Sequence, residues 1–518
     1  IKAIHKLVPM GITTNCTLIA NPGQALAAGL AGSPFISPFI SRVDYMGHDG
    51  MQLFRDVRKI YDAYHIDSVV IAASIKNCYD AVQAIIAGAK AVIVEKDIKI
   101  AGATIIRVEN SRAALSHISA NFFGHPANEI KTVAITGTKG KTTTSFMIKS
   151  ILEESGAKVG LIGTIGVVMG KEVIPMNNTT PESYEMHKYL RKIVENGCKY
   201  AVIEASSIGL ARNRLDDINF DIGIFTNISH DHIGDGEHKD FEEYLNSKAL
   251  LFKKCEIGII NKDDPNHEKA IKNHTCKIRT FALNSPADYN AENLNLINEN
   301  GKIGISFSAT GKIDIKNIFV SIPGEFNVYN SLAAIAAADS LGIPKDFISR
   351  GLEKTRVKGR FEALPTAGNY SMFIDYAHNA LSMENILKTI KKYNPKRIVT
   401  LFGAGGNRPK IRRYEMGEVS GRLSDLSVIT SDNPRFEEPL DIIEDIKTGI
   451  NKTSGKYTIV PDRKKAIEFC IKNAKDGDVI ILAGKGHEDY QEIKGVKYHL
   501  DEREVVSDIL KKLGLNAK

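Results

Sequence analysis

The sequence predicts an α/β protein with parallel sheets, and three observations carry that prediction. Apolar, β-branched runs recur along the chain: SVVIAAS (68–74), AVIVEK (91–96), TVAITG (132–137), YAVIEAS (200–206), IGIFTN (222–227), RIVTLFG (397–403), LSVITS (426–431) and DVIILAG (478–484). They are continuous rather than alternating, the pattern of strands buried on both faces of a parallel sheet. Gly, Ser or Asn bounds them, and segments of helical periodicity follow most of them, so strand and helix alternate.

Bulk properties narrow the function. A chain of 518 residues holds about three domains, and 43% hydrophobic with 25% charged residues is an ordinary globular mixture. The net charge of +7 suits acidic small molecules. No Lys/Arg run is dense enough to predict a nucleic-acid partner. Cys16, Cys78, Cys198, Cys255, Cys276 and Cys470 are scattered without a CxxC pair, which predicts a reducing cytoplasm rather than a disulfide framework or a zinc site. No apolar run reaches ~18 residues, so no membrane insertion is expected. No basic-then-apolar leader is visible, so no signal peptide is expected either. Ile1 rather than Met opens the sequence, which leads one to expect residues upstream.

Taken in order, residues 1–90 carry GITTNCTLI, QALAAGLAG, SPFISR, GHDG and AASIKN. This stretch resembles the second half of a small transaldolase or fructose-6-phosphate aldolase (β/α) barrel. In that family the Schiff-base lysine lies upstream of the matched segment and here would fall before Ile1. The resemblance therefore implies a half-barrel fragment without aldolase chemistry, its strand edges left open.

TVAITGTKGKTTTSFMIKSIL (132–152) reads as a buried strand, a Gly/Thr turn and a helix. The N–H groups of such a turn, with the helix dipole, cradle phosphate oxygens. Lys141 is placed to reach the transferred phosphate and Thr142 to hold Mg²⁺ through its hydroxyl. Ile135 stands where the general GxxxxGK[ST] pattern has Gly. An ordinary strand–turn–helix corner has little packing use for Gly-Lys-Thr-Thr. YAVIEASS sets Glu204 at the end of the next buried strand, where a carboxylate completes a Mg²⁺ site opposite the loop.

The form GTxGKTT resembles that of the Mur ligases and of their relatives the folylpolyglutamate synthases, and the likeness extends over residues 91–518. It implies an α/β architecture in four parts. Residues 1–90 are the half-barrel fragment, and 91–125 the remnant of a truncated UDP-binding domain. Residues 126–355 form the central P-loop ATPase domain, and 356–518 a Rossmann-like domain that binds the amino acid. ATP is then held by Gly137, Thr138, Lys139, Gly140, Lys141, Thr142 and Thr143. Mg²⁺ is bound through Thr142, Glu204, His232 of FTNISHDHIG, and Lys248 of YLNSKALLF, the lysine that the family carbamylates. Lys141, His232 and Lys248 are the catalytic residues so implied. Thr179, Thr180, Ser207 and Arg214 match positions that hold a UDP-muramoyl peptide.

Further along, PGEFNVYNSLAAIAAA (323–338) resembles the segment whose asparagines, here Asn327 and Asn330, border the adenine; three apart, both face one side of a helix start. VKGRFE (357–362) resembles the hinge before the last domain, with Arg360 aimed at the ATP phosphates. IDYAHNALSM (374–383) contains Asp375 and His378, with Ala380 and Leu381 where the family often has Pro-Asp. Three motifs then fall at strand ends, where open α/β sheets bind ligands: FGAGGNRPKIRRYEMGEVS (402–420), SDNPRFEEP (431–439) and AGKGHEDYQ (483–491). For a zwitterionic amino acid, Arg413 and Arg435 are expected to grip a carboxylate. Asp432, Asn433 and Glu488 are expected to hold an ammonium, with Gly484 beside them.

DNPR accompanies meso-diaminopimelate in this family. The resemblance thus implies an ATP-dependent ligase that adds it to a UDP-muramoyl dipeptide through an acyl phosphate, acting as a monomer on small molecules. EASSIGL, with Ile208 where many members have His, and DHIGDGEHKDFEEYL resemble the branch that includes lysine-adding enzymes, which stays open as an alternative. So does a chimeric ATP-binding remnant with little ligase activity. The joint falls at AGAKAVIVEKD (87–97), where both families place a helix ending in Ala-Gly-Ala before a strand. It reads as a fused or misassembled frame in preference to a natural domain exchange. The polar, Asn-rich stretch 282–316 is expected to be a hairpin or sheet-edge excursion.

Overall fold

The computed structural model describes residues 2–10, 14–38, 43, 49–71, 91–97, 104–176, 178–230, 233–234, 237–299 and 302–515. They divide into two compact units, Ile1–Ile118 and Ser119–Lys518.

In the first unit β1 (Asn15–Ile19), β2 (Phe35–Pro38) and β3 (Val69–Val70) form a parallel sheet in that order. The helix Pro22–Leu30 starts where the Asn21 side chain accepts the Gln24 N–H, with proline in the first turn where its missing N–H costs nothing. The helix Gly50–Ala63 buries Met51, Leu53, Phe54, Val57 and Tyr61, a stripe at helical spacing. The Tyr61 hydroxyl finds its partner inside the core, donating to the Ala25 carbonyl at 2.6 Å. β4 (Ala91–Val94) and β5 (Thr104–Arg107) form a separate parallel pair. Val94 and Ile105 pack against the same core as Phe54 and Tyr61, so strands from beyond the expected joint share their interior with the fragment before it. Residues 72–90, with AASIKN and the first four residues of the joint, lie outside the described residues.

The second unit is built on two large sheets. The first runs, among the described residues, β16-β15-β14-β13-β12-β11-β6-β10-β7-β8-β9, where β8 is Gly166–Met169, β9 Glu172–Ile174 and β13 Lys277–Ala282. Its middle is parallel: β6 (Lys131–Thr136) lies between β10 (Tyr200–Glu204) and β11 (Phe220–Phe225), with β7 (Val159–Gly163) and β12 (Cys255–Asn261) outside them. These are the continuous apolar runs of the sequence, and β6 is buried at every position after Lys131. One edge is antiparallel, β14 (Tyr289–Glu299) against β15 (Lys302–Gly311) and β16 (Ile315–Val320), so the Asn-rich stretch is the edge excursion expected of it. The second sheet has the order β17-β18-β22-β19-β20-β21, with β17 at Glu362–Leu364 and β21 at Tyr457–Ile459 on its edges. Here β18 (Ser371–Asp375), β22 (Asp478–Ala483), β19 (Arg397–Phe402) and β20 (Leu426–Ile429) are parallel neighbours. Their carboxyl ends open on one side, which is where the motif loops leave.

Candidate active site

The turn after β6 is tied to the end of β11. Thr226 Oγ1 donates to the Lys139 carbonyl at 2.7 Å, and the Asn227 amide makes a reciprocal pair with the Lys139 backbone at 2.9 and 3.0 Å. Gly140 has φ +87°, and a Cβ there would lie 2.4 Å from Asn330 Oδ1, so both backbone and space demand glycine. The helix Lys141–Glu154 starts at once, presenting its free N–H groups and positive dipole end to the turn. Lys141 Nζ lies back over the loop, 2.8 Å from the Gly137 carbonyl and 3.2 Å from that of Thr138. Thr143 is half-buried in the first turn of the helix.

Glu204 is fully buried at the end of β10. Its carboxylate accepts from the Thr142 hydroxyl at 2.9 Å, the Thr164 hydroxyl at 3.0 Å and the Thr164 N–H at 3.1 Å. Lys248, on the helix Phe241–Ala249, is 1% exposed. Its Nζ donates to the Gly137 carbonyl at 3.0 Å and lies 4.4 Å from the Tyr244 ring centroid. The Tyr244 hydroxyl is 3.0 Å from Thr138 Oγ1. Thr142 and Glu204 supply adjacent hard oxygen donors, which fits Mg²⁺. His232 lies outside the described residues. No cluster of three or more His, Cys, Asp or Glu with metal-binding geometry forms among the described residues.

Asn327 and Asn330 face each other on the helix Phe326–Ser340, Asn330 Nδ2 donating to Asn327 Oδ1 at 2.9 Å. Both are buried, and Asn330 Oδ1 takes the Thr144 hydroxyl at 3.3 Å. The pair backs the phosphate loop through Gly140 and Thr144. Four other expected residues gather around the end of β10. The buried Thr180 donates to the Glu204 carbonyl at 2.7 Å and accepts the Ser206 N–H at 2.9 Å. Arg214 donates to the Thr180 carbonyl at 2.8 Å and pairs with Glu182 at 2.5 Å. Thr179 meets Thr164 at 3.1 Å, and Ser207 is buried at the start of a short helix. Thr180 and Arg214 thus brace the strand end from inside.

The second group forms at the carboxyl ends of β18, β22, β19 and β20. One expectation is corrected there. Arg413 does not offer its guanidinium to a ligand: it is 1% exposed and pairs with Glu437 at 2.7 Å and Asp445 at 2.9 Å. That pairing holds the Glu437 carboxyl down at about 2. The exposed guanidinium of this loop belongs to Arg408, whose Cγ and Arg435 Nη1 both lie within 4 Å of where a Gly405 Cβ would stand. Arg408 is in the quoted GGNR segment, but the sequence reading passed over it. Arg435 donates to the Gly406 carbonyl at 2.8 Å and meets Glu492 at 3.2 Å. Gly484 has φ +111°, and a Cβ on it would lie 2.4 Å from Asp432 Oδ2. Asn433 donates to Glu488 at 2.8 Å. A second residue missed from the sequence, Lys485 of the GKGHE motif, has its buried ammonium among these three side chains, 2.7 Å from Asn433, 3.1 Å from Glu488 and 3.6 Å from Asp432.

The segment between the two sheets is firmly held. The buried Asp375 accepts the Phe361 and Ala377 N–H groups at 2.8 and 2.9 Å, and burial raises its carboxyl to about 6 against the pull of Arg360. Arg360 lies 5.2 Å from the Tyr376 ring centroid, and the Tyr376 ring also packs on His378 and His487. Arg503 pairs with Glu362 at 2.5 Å and donates to the Gly486 carbonyl at 3.0 Å, joining the hinge to the GKGHE loop.

Comparison with known proteins bears on this geometry. Residues 135–338 match the Mur ligase middle domain, and residues 359–486 match the Mur ligase, glutamate ligase domain. Residues 1–114 match the transaldolase/fructose-6-phosphate aldolase family, past the joint expected at residue 90. The UDP-N-acetylmuramoyl-L-alanyl-D-glutamate–2,6-diaminopimelate ligase of Caldanaerobacter subterraneus subsp. tengcongensis is 42% identical over 83% of this chain and 88% of its own. The ligase of the same name from Alkaliphilus oremlandii is 45% identical over 84% and 89%. A solved structure of a ligase of that name aligns with a TM-score of 0.64 at 25% identity, over 93% of this chain and 92% of the other.

Proposed function

The chain belongs to the Mur ligase family, and from that premise we propose how its residues serve an ATP-dependent ligase joining meso-diaminopimelate to UDP-N-acetylmuramoyl-L-alanyl-D-glutamate in peptidoglycan precursor synthesis. The observation that carries the reading is the contact of Thr142 with Glu204, a phosphate-loop hydroxyl set on a fully buried carboxylate. A buried charge with only neutral donors around it calls for a cation.

Gly137–Thr143 and the helix N-terminus hold the ATP phosphates, with Lys141 swinging from the loop carbonyls to the γ-phosphate. The glutamate carboxylate of the dipeptide attacks the γ-phosphorus, ADP leaves, and an acyl phosphate forms. The amino group of diaminopimelate then attacks the acyl carbon, expels phosphate, gives up a proton and leaves the amide. Bound Mg²⁺ supplies neutralisation of the phosphate charge, and Thr142, Glu204, His232 and Lys248 are the residues that would hold it. Lys248 serves as its carbamate, formed when the neutral amine adds CO₂ and loses a proton. This exchanges a cation that repels the metal for oxygen donors. Asn327 and Asn330 support the loop and border the adenine, and Arg360 reaches the phosphates from the hinge. Thr179, Thr180, Ser207 and Arg214 shape the muramoyl-peptide side. Arg435 and Arg408 take the distal carboxylate of the acceptor, and Asp432, Asn433 and Glu488 its ammonium, with Gly484 leaving room.

The same reading divides the chain at residues 90, 125 and 355, places it in the cytoplasm and makes it a monomer. Among the described residues no helix is long and apolar enough to cross a membrane. The test is Lys141→Ala, which should abolish ATP binding and ATP-dependent amide formation. Unchanged ATP binding and hydrolysis in that variant would overturn the reading.

A further inference from the structure

The acceptor loops enclose a chain of charges of which the reading above leaves Lys485, Arg463 and Glu502 without a task. Behind Lys485 stands Arg463, also fully buried, bonded to Glu502 at 2.8 Å and 3.9 Å from Asp432. Arg463 Nη2 donates to the Ala483 carbonyl at 2.9 Å, at the end of β22. Two cations, Arg463 and Lys485, therefore face three carboxylates, Asp432, Glu488 and Glu502. The cluster keeps one surplus negative charge, and Glu488, half-buried at its open side, is where another cation can arrive.

Lys485 also fixes orientation. Asn433 Oδ1 accepts both the Lys485 ammonium at 2.7 Å and the Glu492 N–H at 2.9 Å. The amide nitrogen must then point the other way, and it donates to Glu488 Oε2 at 2.8 Å. Oε2 thus serves Lys485 and Asn433 together, while Oε1 takes no hydrogen bond from the described residues. A fixed amide, a carboxylate oxygen in reserve and one surplus negative charge suit an incoming ammonium, with Arg435 on the same turn for the carboxylate beside it.

We propose that Lys485 is a positioning residue, which sets Asn433 and Glu488 for the ammonium at the far, non-reacting end of the acceptor amino acid. The inference rests on the ligase reading. Without the Lys485 cation, Asp432 and Glu488 repel each other, and the Asn433 amide loses one of the two donors that set its direction.

The test uses calorimetric titration of the full chain with meso-diaminopimelate and with pimelate, which has both carboxylates and no amine. The parent should bind meso-diaminopimelate more tightly. In Lys485→Met that preference should shrink by about tenfold or more, with MgATP affinity unchanged, and Lys485→Arg should restore part of it. Should the Met variant fail to bind MgATP, Lys485→Gln, which keeps a donor, carries the same comparison. An unchanged preference overturns the proposal, and so does an equal loss for both ligands, the mark of general collapse. A parent that binds MgATP yet never distinguishes the two ligands overturns the acceptor site of the ligase reading, and the proposal with it.

Discussion

Replacing Arg413 with methionine separates a scaffold guanidinium from a substrate-gripping one. Arg413 makes three charged hydrogen bonds, to Glu437 at 2.7 and 2.8 Å and to Asp445 at 2.9 Å. Breaking a buried pair costs ~3–5 kcal/mol. Glu437 keeps 30% exposure and Asp445 14%, so both regain water, and the methionine stem fills much of the space; the net loss should be ~2–3 kcal/mol. At ~2–4 °C per kcal/mol for a unit of this size, melting of the C-terminal sheet should fall by roughly 4–12 °C. Differential scanning calorimetry on the full chain at neutral pH reads this directly. The difference should narrow in acid. Arg413 holds the Glu437 carboxyl at about 2, so the pair's contribution is whole above the ordinary carboxylate range and fades as pH falls towards that value. Arg408→Ala is the companion: its exposed side chain should leave melting unmoved and weaken meso-diaminopimelate binding. If Arg413→Met melts like the parent and binds the acceptor about tenfold more weakly, Arg413 grips substrate and the structural assignment fails.

Two further outcomes are expected. His187, buried on the helix Ser183–Glu195 with neither ring nitrogen hydrogen-bonded among the described residues, is pushed down to about 4 by burial. Because the unfolded chain protonates it near ~6.5, parent stability should fall by up to ~1.4 kcal/mol per pH unit between ~6.5 and ~4. Urea unfolding of His187→Phe should lack that slope, and parallel pH curves would refute the assignment. Exchanging residues 1–90 for the UDP-binding segment of a relative should raise turnover on the UDP substrate, since misplacing a reacting group by ~1 Å costs ~100-fold. Equal steady-state rates for both chains would mean that the first fragment holds UDP after all.

Much of this was readable before any coordinates. The strands β6, β10, β11, β19, β20 and β22 all coincide with the continuous apolar runs, because burial on both faces leaves little choice of side chain. The 282–316 excursion was legible from its polarity, since an edge with one wet face admits Asn. The motif residues that the resemblance singled out converge at strand ends, as the apolar runs before them suggested. Burial within a motif was not legible. Arg413 and Arg408 share one motif segment, the first on the helix Lys410–Leu423 and the second on the loop before it, and nothing in the string says which of them turns inward to meet Glu437 and Asp445. Lys485 stood inside a quoted motif, but its value depends on Asp432 and Asn433 of another stretch meeting Glu488 of its own around one nitrogen. The Asn327–Asn330 pair was read onto one helix face correctly, yet the object it faces, Gly140, is set by tertiary packing.

The register of the central sheet has a consequence for how this gene can change. Glu204 stands opposite Ile135, and Phe225 opposite Thr136, so carboxylate, loop and Thr226 arrive together because three strands have matched lengths. Losing or gaining one residue within β10 would swing Glu204 to the other face of the sheet. Insertions in the turn before Tyr200, at the opposite end of that strand, leave the count intact. In-frame indels should therefore accumulate across generations at the amino ends of these strands and be purged within them, a ruler written in residue number rather than residue identity.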